Sequence, residues 1–159
     1  MKEINTERCL LREWKKSDIH ELEKIFCSAE IGYMAGFKVK KANEVTNILD
    51  IFIRDSKKTL WAISNKGNDK AMGWIEVHDF EGDKSVQEIG YCLEKGYWGN
   101  GIMKEVVIGV IEEIKKCGKV ERLICSHFDF NNQSKRVIEK CGFTYWKHED
   151  SKKYYFYDI

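Results

Sequence analysis

The stretch Glu94-Lys95-Gly96-Tyr97-Trp98-Gly99-Asn100-Gly101 stands between an apolar strand pattern at 86–93 and the strongest helical pattern of the chain. In that helix Met103, Val106, Val107, Val110, Ile111 and Ile114 fall on one face, and Gly118 ends it. A helix start offers unpaired N–H groups and the positive end of the helix dipole. Glycines let the backbone curl around an anion with no Cβ in the way. The loop therefore reads as a candidate phosphate cradle, with a tight structural turn as the competing reading. It is not a P-loop, because no G-x-x-x-x-G-K-[ST] run exists. It is not a dinucleotide fingerprint either, because the third glycine would have to stand where Lys104 is.

Working outward, Arg122 to Phe128 reads as a strand, Ser134 to Cys141 as a short helix stopped by Gly142, and 143–147 with 154–157 as a closing hairpin. Upstream, strands are expected at 60–64, 72–78 and 86–93, with turn residues between them. Val45, Ile48, Leu49, Phe52 and Ile53 share one helical face. An earlier helix carries Ile19, Leu22, Ile25 and Phe26, with Ser17 as its expected cap, and Cys9 to Trp14 forms the first strand. Residues 28–41 read as irregular and aromatic. The order β-α-α-β-β-β-α-β-α-β-β predicts an α+β (α/β mixed) sheet with helices on both faces.

Composition narrows the function classes. A chain of 159 residues with no linker-like tract reads as a single domain, 1–159. Lys+Arg 27 against Asp+Glu 26 argues against a general nucleic-acid binder. No apolar run nears the ~20 residues of a membrane span, and the start has no signal-like segment, so a cytoplasmic protein is expected. Cysteines at 9, 27, 92, 117, 125 and 141 form no C-x-x-C pair, so no metal is expected and reduced thiols are.

The run Glu88-Ile89-Gly90-Tyr91 through Gly101, then Asn131-Asn132-Gln133-Ser134 and Glu139-Lys140-Cys141-Gly142-Phe143, resembles the GNAT superfamily of N-acetyltransferases. The opening Glu7-Arg8-Cys9-Leu10-Leu11-Arg12 resembles the branch that acetylates ribosomal-protein N-terminal residues and related amines. The family's pyrophosphate motif is Q/R-x-x-G-x-G/A; here Trp98, Gly101 and Met103 stand at its first, middle and last marked positions. The resemblance implies a mostly antiparallel twisted sheet whose fourth and fifth strands are parallel and splay around acetyl-CoA. It implies backbone contacts from Trp98, Gly99, Asn100, Gly101, Ile102 and Met103 to the pyrophosphate. It places the pantetheine arm at Cys92 and Leu93, with Asn131 and Ser134 beside the cofactor. Lys95, Lys104, Lys135 and Arg136 are candidate helpers for the phosphates, but each singly reads better as solvated surface charge.

The implied reaction is direct attack of a neutral primary amine on the thioester. An α-amine of pKa ~7.7–8 is roughly one-tenth neutral at pH 7, so a modest base suffices. Glu88 is the first candidate base, with a substrate-orienting carboxylate as its competing role; Glu76 follows, then His78 and His127. The Leu93 N–H is the implied oxyanion donor. Family members commonly carry a tyrosine acid four residues after Ser134, but Ile138 stands there. Ser134 is therefore the candidate partner of the leaving thiolate, with helix capping as its other reading. Cys92 and Cys125 read as packing residues rather than acyl carriers. The acceptor is expected to be a protein N-terminus, an amino acid or another small amine. A non-catalytic acyl-CoA-binding module is the alternative, and monomer or homodimer is open.

Overall fold

A computed structural model describes residues 2–55 and 59–159. One eight-stranded sheet runs through them: β1 (Ile4–Asn5), β2 (Cys9–Arg12), β3 (Leu60–Asn65), β4 (Ala71–Phe80), β5 (Asp83–Leu93), β6 (Arg122–Phe128), β7 (Thr144–Glu149) and β8 (Lys152–Asp158). Their order across the sheet is β1-β2-β3-β4-β5-β6-β8-β7. All neighbours are antiparallel except β5 and β6, which are parallel. The expected fourth and fifth strands are thus β5 and β6, shifted in number by the short extra strand β1.

Five helices cover the faces: α1 (Ile19–Phe26), α2 (Ala29–Ala35), α3 (Ala42–Asp55), α4 (Ile102–Cys117) and α5 (Asn132–Lys140). The stripe of α4 buries Met103, Val106, Val107, Val110 and Ile111 against Leu11, Ile63, Ile75, Ile89 and Leu123. On the other face, Leu22, Ile25 and Phe26 of α1 and Val45 and Leu49 of α3 pack with Trp74 and Ala62. Full burial of each such large aliphatic side chain contributes about 1.5–3 kcal/mol, and the two cores clamp the sheet between them.

Two expectations change. Residues 28–41 contain a real helix, α2, because Ser28 Oγ accepts the Ile31 amide at 3.3 Å and Gly36 closes the helix at φ 78°. Ser17 does not cap α1. Lys16–Asp18 instead forms a 3-10 turn, and the Asp18 carboxylate accepts the Lys15 amide at 2.9 Å. Asp18 is held there by Arg12, whose Nη1 and Nη2 donate to its two oxygens at 2.8 and 2.9 Å. A bidentate arginine outcompetes a serine hydroxyl for setting the chain's path at this point.

Candidate active site

The sheet opens where the parallel β5–β6 pair ends. Val86, Gln87 and Glu88 of β5 pair with Arg122, Leu123 and Ile124 of β6, and beyond Glu88 the two strands separate. Strand β5 stays with β4 as far as Gly73↔Leu93, while β6 stays with β8 to its end. The Glu94 amide donates to the Met72 carbonyl at 2.7 Å. Antiparallel alternation then turns the backbone groups of Ile89, Tyr91 and Leu93 away from β4, toward the opening. The Cys125 thiol reaches the Ile89 carbonyl at 3.4 Å from that side. The result is a cleft of about 340 Å³ between the diverging strands.

Beyond Cys92, the last β5 residue lining the cleft, the chain runs on through Leu93 into the glycine loop. Trp98 Nε1 donates to the Leu93 carbonyl at 2.7 Å, and Glu94 accepts the Gly96 amide at 3.0 Å, so the loop leaves β5 on a fixed path. Gly99 and Gly101 have φ of 78° and 73°, left-handed values that glycine alone adopts freely. Gly101 is the cap position of α4, and no side chain caps it. The first amides of α4 have no intrahelical acceptor. Ile102 and Met103 send their side chains into the core, so only their main chain faces the cradle. Met103 therefore takes no space from an anion there. These features fit the diphosphate of a coenzyme.

Back along β5, the cleft is acidic. Glu88 accepts a hydrogen bond from Ser126 Oγ at 3.0 Å and lies 3.5 Å from His78 Nε2, its cross-strand neighbour. Glu76 shares this face of the sheet, and no hydrogen bond or ion pair engages its carboxylate among the described residues. Burial pushes its pKa up; His78 opposes this, and Glu88 and Asp55 add to it. Trp74 forms the apolar wall beside it and stacks on Phe26 at 5.4 Å. His127 is buried, with Nδ1 donating to the Phe128 carbonyl at 2.7 Å and Nε2 3.4 Å from the Tyr155 hydroxyl. Its ring is thus committed to packing.

The remaining candidates have mixed placements. Ser134 Oγ lies 2.9 Å from the Tyr91 hydroxyl inside the cleft. Asn131 lines the cleft but spends its side chain: Oδ1 accepts the Ser134 amide at 3.0 Å, and Nδ2 donates to the Met34 carbonyl at 2.8 Å. That second bond ties α2 to the β6–α5 turn, where the Tyr33 and Phe130 rings stack at 4.5 Å. Cys92 and Cys125 are buried; burial pushes the Cys92 thiol up to about 12, with the Leu93 amide offsetting only part, and raises Cys125 too. Neither supplies a thiolate at neutral pH. Lys95 pairs with Glu30 of α2 at 2.5 Å, and Lys135 with Glu139 at 3.8 Å. Sequence reasoning missed Tyr91 and Ser126 as partners of Ser134 and Glu88. It also missed Arg8, whose guanidinium lies against the glycine loop.

Comparisons with known proteins agree with this geometry. The acetyltransferase (GNAT) domain family matches residues 8–144. The N-acetyltransferase YoaA of Bacillus subtilis, itself uncharacterized, is 22% identical over 144 residues, covering 88% of this chain and 81% of that one. A GNAT-family acetyltransferase from Bacillus anthracis superposes with a TM-score of 0.86 at 20% identity, covering 99% of this chain and 98% of that one. The Salmonella typhimurium enzyme that modifies the N-terminal serine of ribosomal protein L7/L12 superposes at 0.78 with 16% identity, covering 99% of both.

Proposed function

The chain belongs to the GNAT acetyltransferase family, and from that premise we propose that, as a single domain over 1–159, it transfers an acetyl group from acetyl-CoA directly to a primary amine. The acceptor is a protein N-terminal α-amine or a small-molecule amine. The observation that carries this reading is the fork after Glu88, with uncapped amides at one end and paired strand carboxylates at the other.

Acetyl-CoA supplies an activated acyl group. The amides of Gly99, Asn100, Gly101, Ile102 and Met103 and the end of the Trp98 segment hold its diphosphate. The edge of β5 at Cys92 and Leu93 lies beside its arm, with Asn131 shaping the far wall. The Leu93 amide is the donor for the acyl oxygen, and one such donor in a dry site is worth about 2.7–4 kcal/mol. Glu88, oriented by Ser126, accepts the proton of the incoming ammonium directly or through water. Glu76 adds negative charge beside it, which favours a cationic acceptor entering from that side. Ser134 donates toward the leaving sulfur, and its hydroxyl is held by the Tyr91 phenol. Ile138 is fully buried in the core.

The test is thiol release from acetyl-CoA with a panel of peptide N-termini, amino acids and polyamines. Turnover with at least one amine is expected, and tight coenzyme binding without any turnover overturns the reading in favour of a binding module. In the variant Glu88→Gln, kcat is expected to fall about 10²–10⁴-fold with the affinity for CoA unchanged. An unchanged kcat removes Glu88 from the reaction.

A further inference from the structure

The loop from Gly96 to Met103 carries no cationic side chain. The first turn of α4 carries, beside Lys104, an acid, Glu105, at the helix end where an anion is to be held. Left alone, that carboxylate opposes a phosphate. The structure answers it from a distant part of the chain. Glu105 accepts Thr6 Oγ1 at 2.5 Å, the Arg8 amide at 2.7 Å and Arg8 Nε at 2.6 Å. Thr6 and Cys9 close the turn between β1 and β2 that presents all of these donors, with the Thr6 amide 2.9 Å from the Cys9 carbonyl.

Arg8 then reaches further. Its Nη1 donates to the Asn100 carbonyl at 2.9 Å. The peptide bonds of the chain are all trans among the described residues. In a trans peptide the carbonyl and the following N–H point in opposite directions. A grip on the Asn100 carbonyl therefore points the Gly101 amide in the opposite direction within that peptide plane. Nη2 of the same guanidinium lies 3.7 Å from the position a Gly101 Cβ would take, and no acceptor engages it among the described residues. The side chain keeps 47% of its exposure, so this edge is open to a ligand.

We infer that Arg8 is the positioning residue of the phosphate cradle: it fixes the Asn100–Gly101 peptide plane, neutralises Glu105, and keeps one N–H edge free beside Gly101 for the coenzyme's phosphate groups. The inference rests on the acetyl-CoA reading. Its geometry uses all three functions of one guanidinium fork, which a lysine ammonium does not reproduce.

Calorimetric titration of CoA into the wild type, Arg8→Gln and Arg8→Lys tests it, paired with the KM for S-acetylpantetheine, which has the thioester but no diphosphate. Arg8→Gln is expected to raise the Kd for CoA about 10- to 100-fold, the scale of one charge-assisted hydrogen bond. The KM for S-acetylpantetheine stays within twofold, and Arg8→Lys falls between wild type and Arg8→Gln. If Arg8→Gln does not fold, Arg8→Lys carries the same comparison. A CoA Kd unchanged in the variants overturns the inference. So does an equal loss for both thioesters, which marks a general structural role. A wild type that binds no CoA overturns the acetyl-CoA reading itself, and a wild type that binds CoA while the variants match it overturns this inference alone.

Discussion

Arg8 immediately precedes the short strand β2, Arg12 is its last residue, and the two do different work. Arg12 is 3% exposed and spends all its N–H donors inside the protein. Its five hydrogen bonds go to both oxygens of Asp18, to an oxygen and the carbonyl of Asp69, and to the Glu13 carbonyl. It joins β2, the turn before α1 and the β3–β4 turn, and nothing is left over for a ligand. Among the described residues Arg8 makes two side-chain bonds, one to Glu105 of α4 and one to the Asn100 carbonyl of the glycine loop, and keeps an open edge. The same residue type serves the fold where its donors are saturated and the site where they are not.

The largest effect expected from this contrast is at Arg12. Arg12→Gln leaves Asp18 buried without its partner and should cost about 3–5 kcal/mol in urea unfolding. The CoA affinity of the molecules that remain folded should not change. A loss in affinity as large as that of Arg8→Gln breaks the contrast. Next is Gly101→Ala, which strains the cradle's backbone and sets a new Cβ in ordinary contact with Arg8 Nη2, at 3.7 Å, while keeping the guanidinium. A left-handed alanine costs about 1–2 kcal/mol, and the strain should appear as weaker CoA binding with little change in S-acetylpantetheine KM. Equal loss with both thioesters would place Gly101 outside the phosphate contact.

The smallest effect lies at the rim of the Arg12 cluster. The Lys15 ammonium, then Arg12, hold the Asp69 carboxyl down to about 2. An unfolded aspartate titrates near 3.9. The unfolded chain thus binds this proton first as pH falls. The contribution is whole above about pH 4 and drains away toward pH 2. Asp69→Asn should flatten the acid limb of a circular-dichroism titration in that window. Because half of the Asp69 side chain is exposed, stability at pH 7 should move little. A steep acid limb that survives the substitution assigns it to other carboxylates.

Legibility followed the range of the interactions. The stripe Met103, Val106, Val107, Val110 and Ile111 repeats with a helix's own period, so α4 was plain in the sequence, as was β6 at 122–128. The glycine loop was legible because backbone freedom is written as residue type at Gly99 and Gly101. Helix α2 was hidden because seven residues barely sustain a helix alone. It is stabilised by packing such as the Phe37 carbonyl against Gly32, where a Cβ would come within 2.8 Å. The acidic end was half legible: Glu88 stood out on its strand, but Ser126 lies on another strand and nothing local links them. Arg8 meets Asn100 across 92 residues of chain, and no short pattern encodes such a contact.

The fork after Glu88 leaves this sheet with a bare edge in its interior. Bare edges recruit foreign strands and seed aggregation, and proteins normally blunt them with charge or cover. Here Met34 and Asn131, joined by a hydrogen bond, line the cleft beside that edge. The slot suits a slender unbranched arm. A cleft of about 340 Å³ leaves that edge little room for a second strand, so the sheet stays unfinished inside the molecule rather than at its rim.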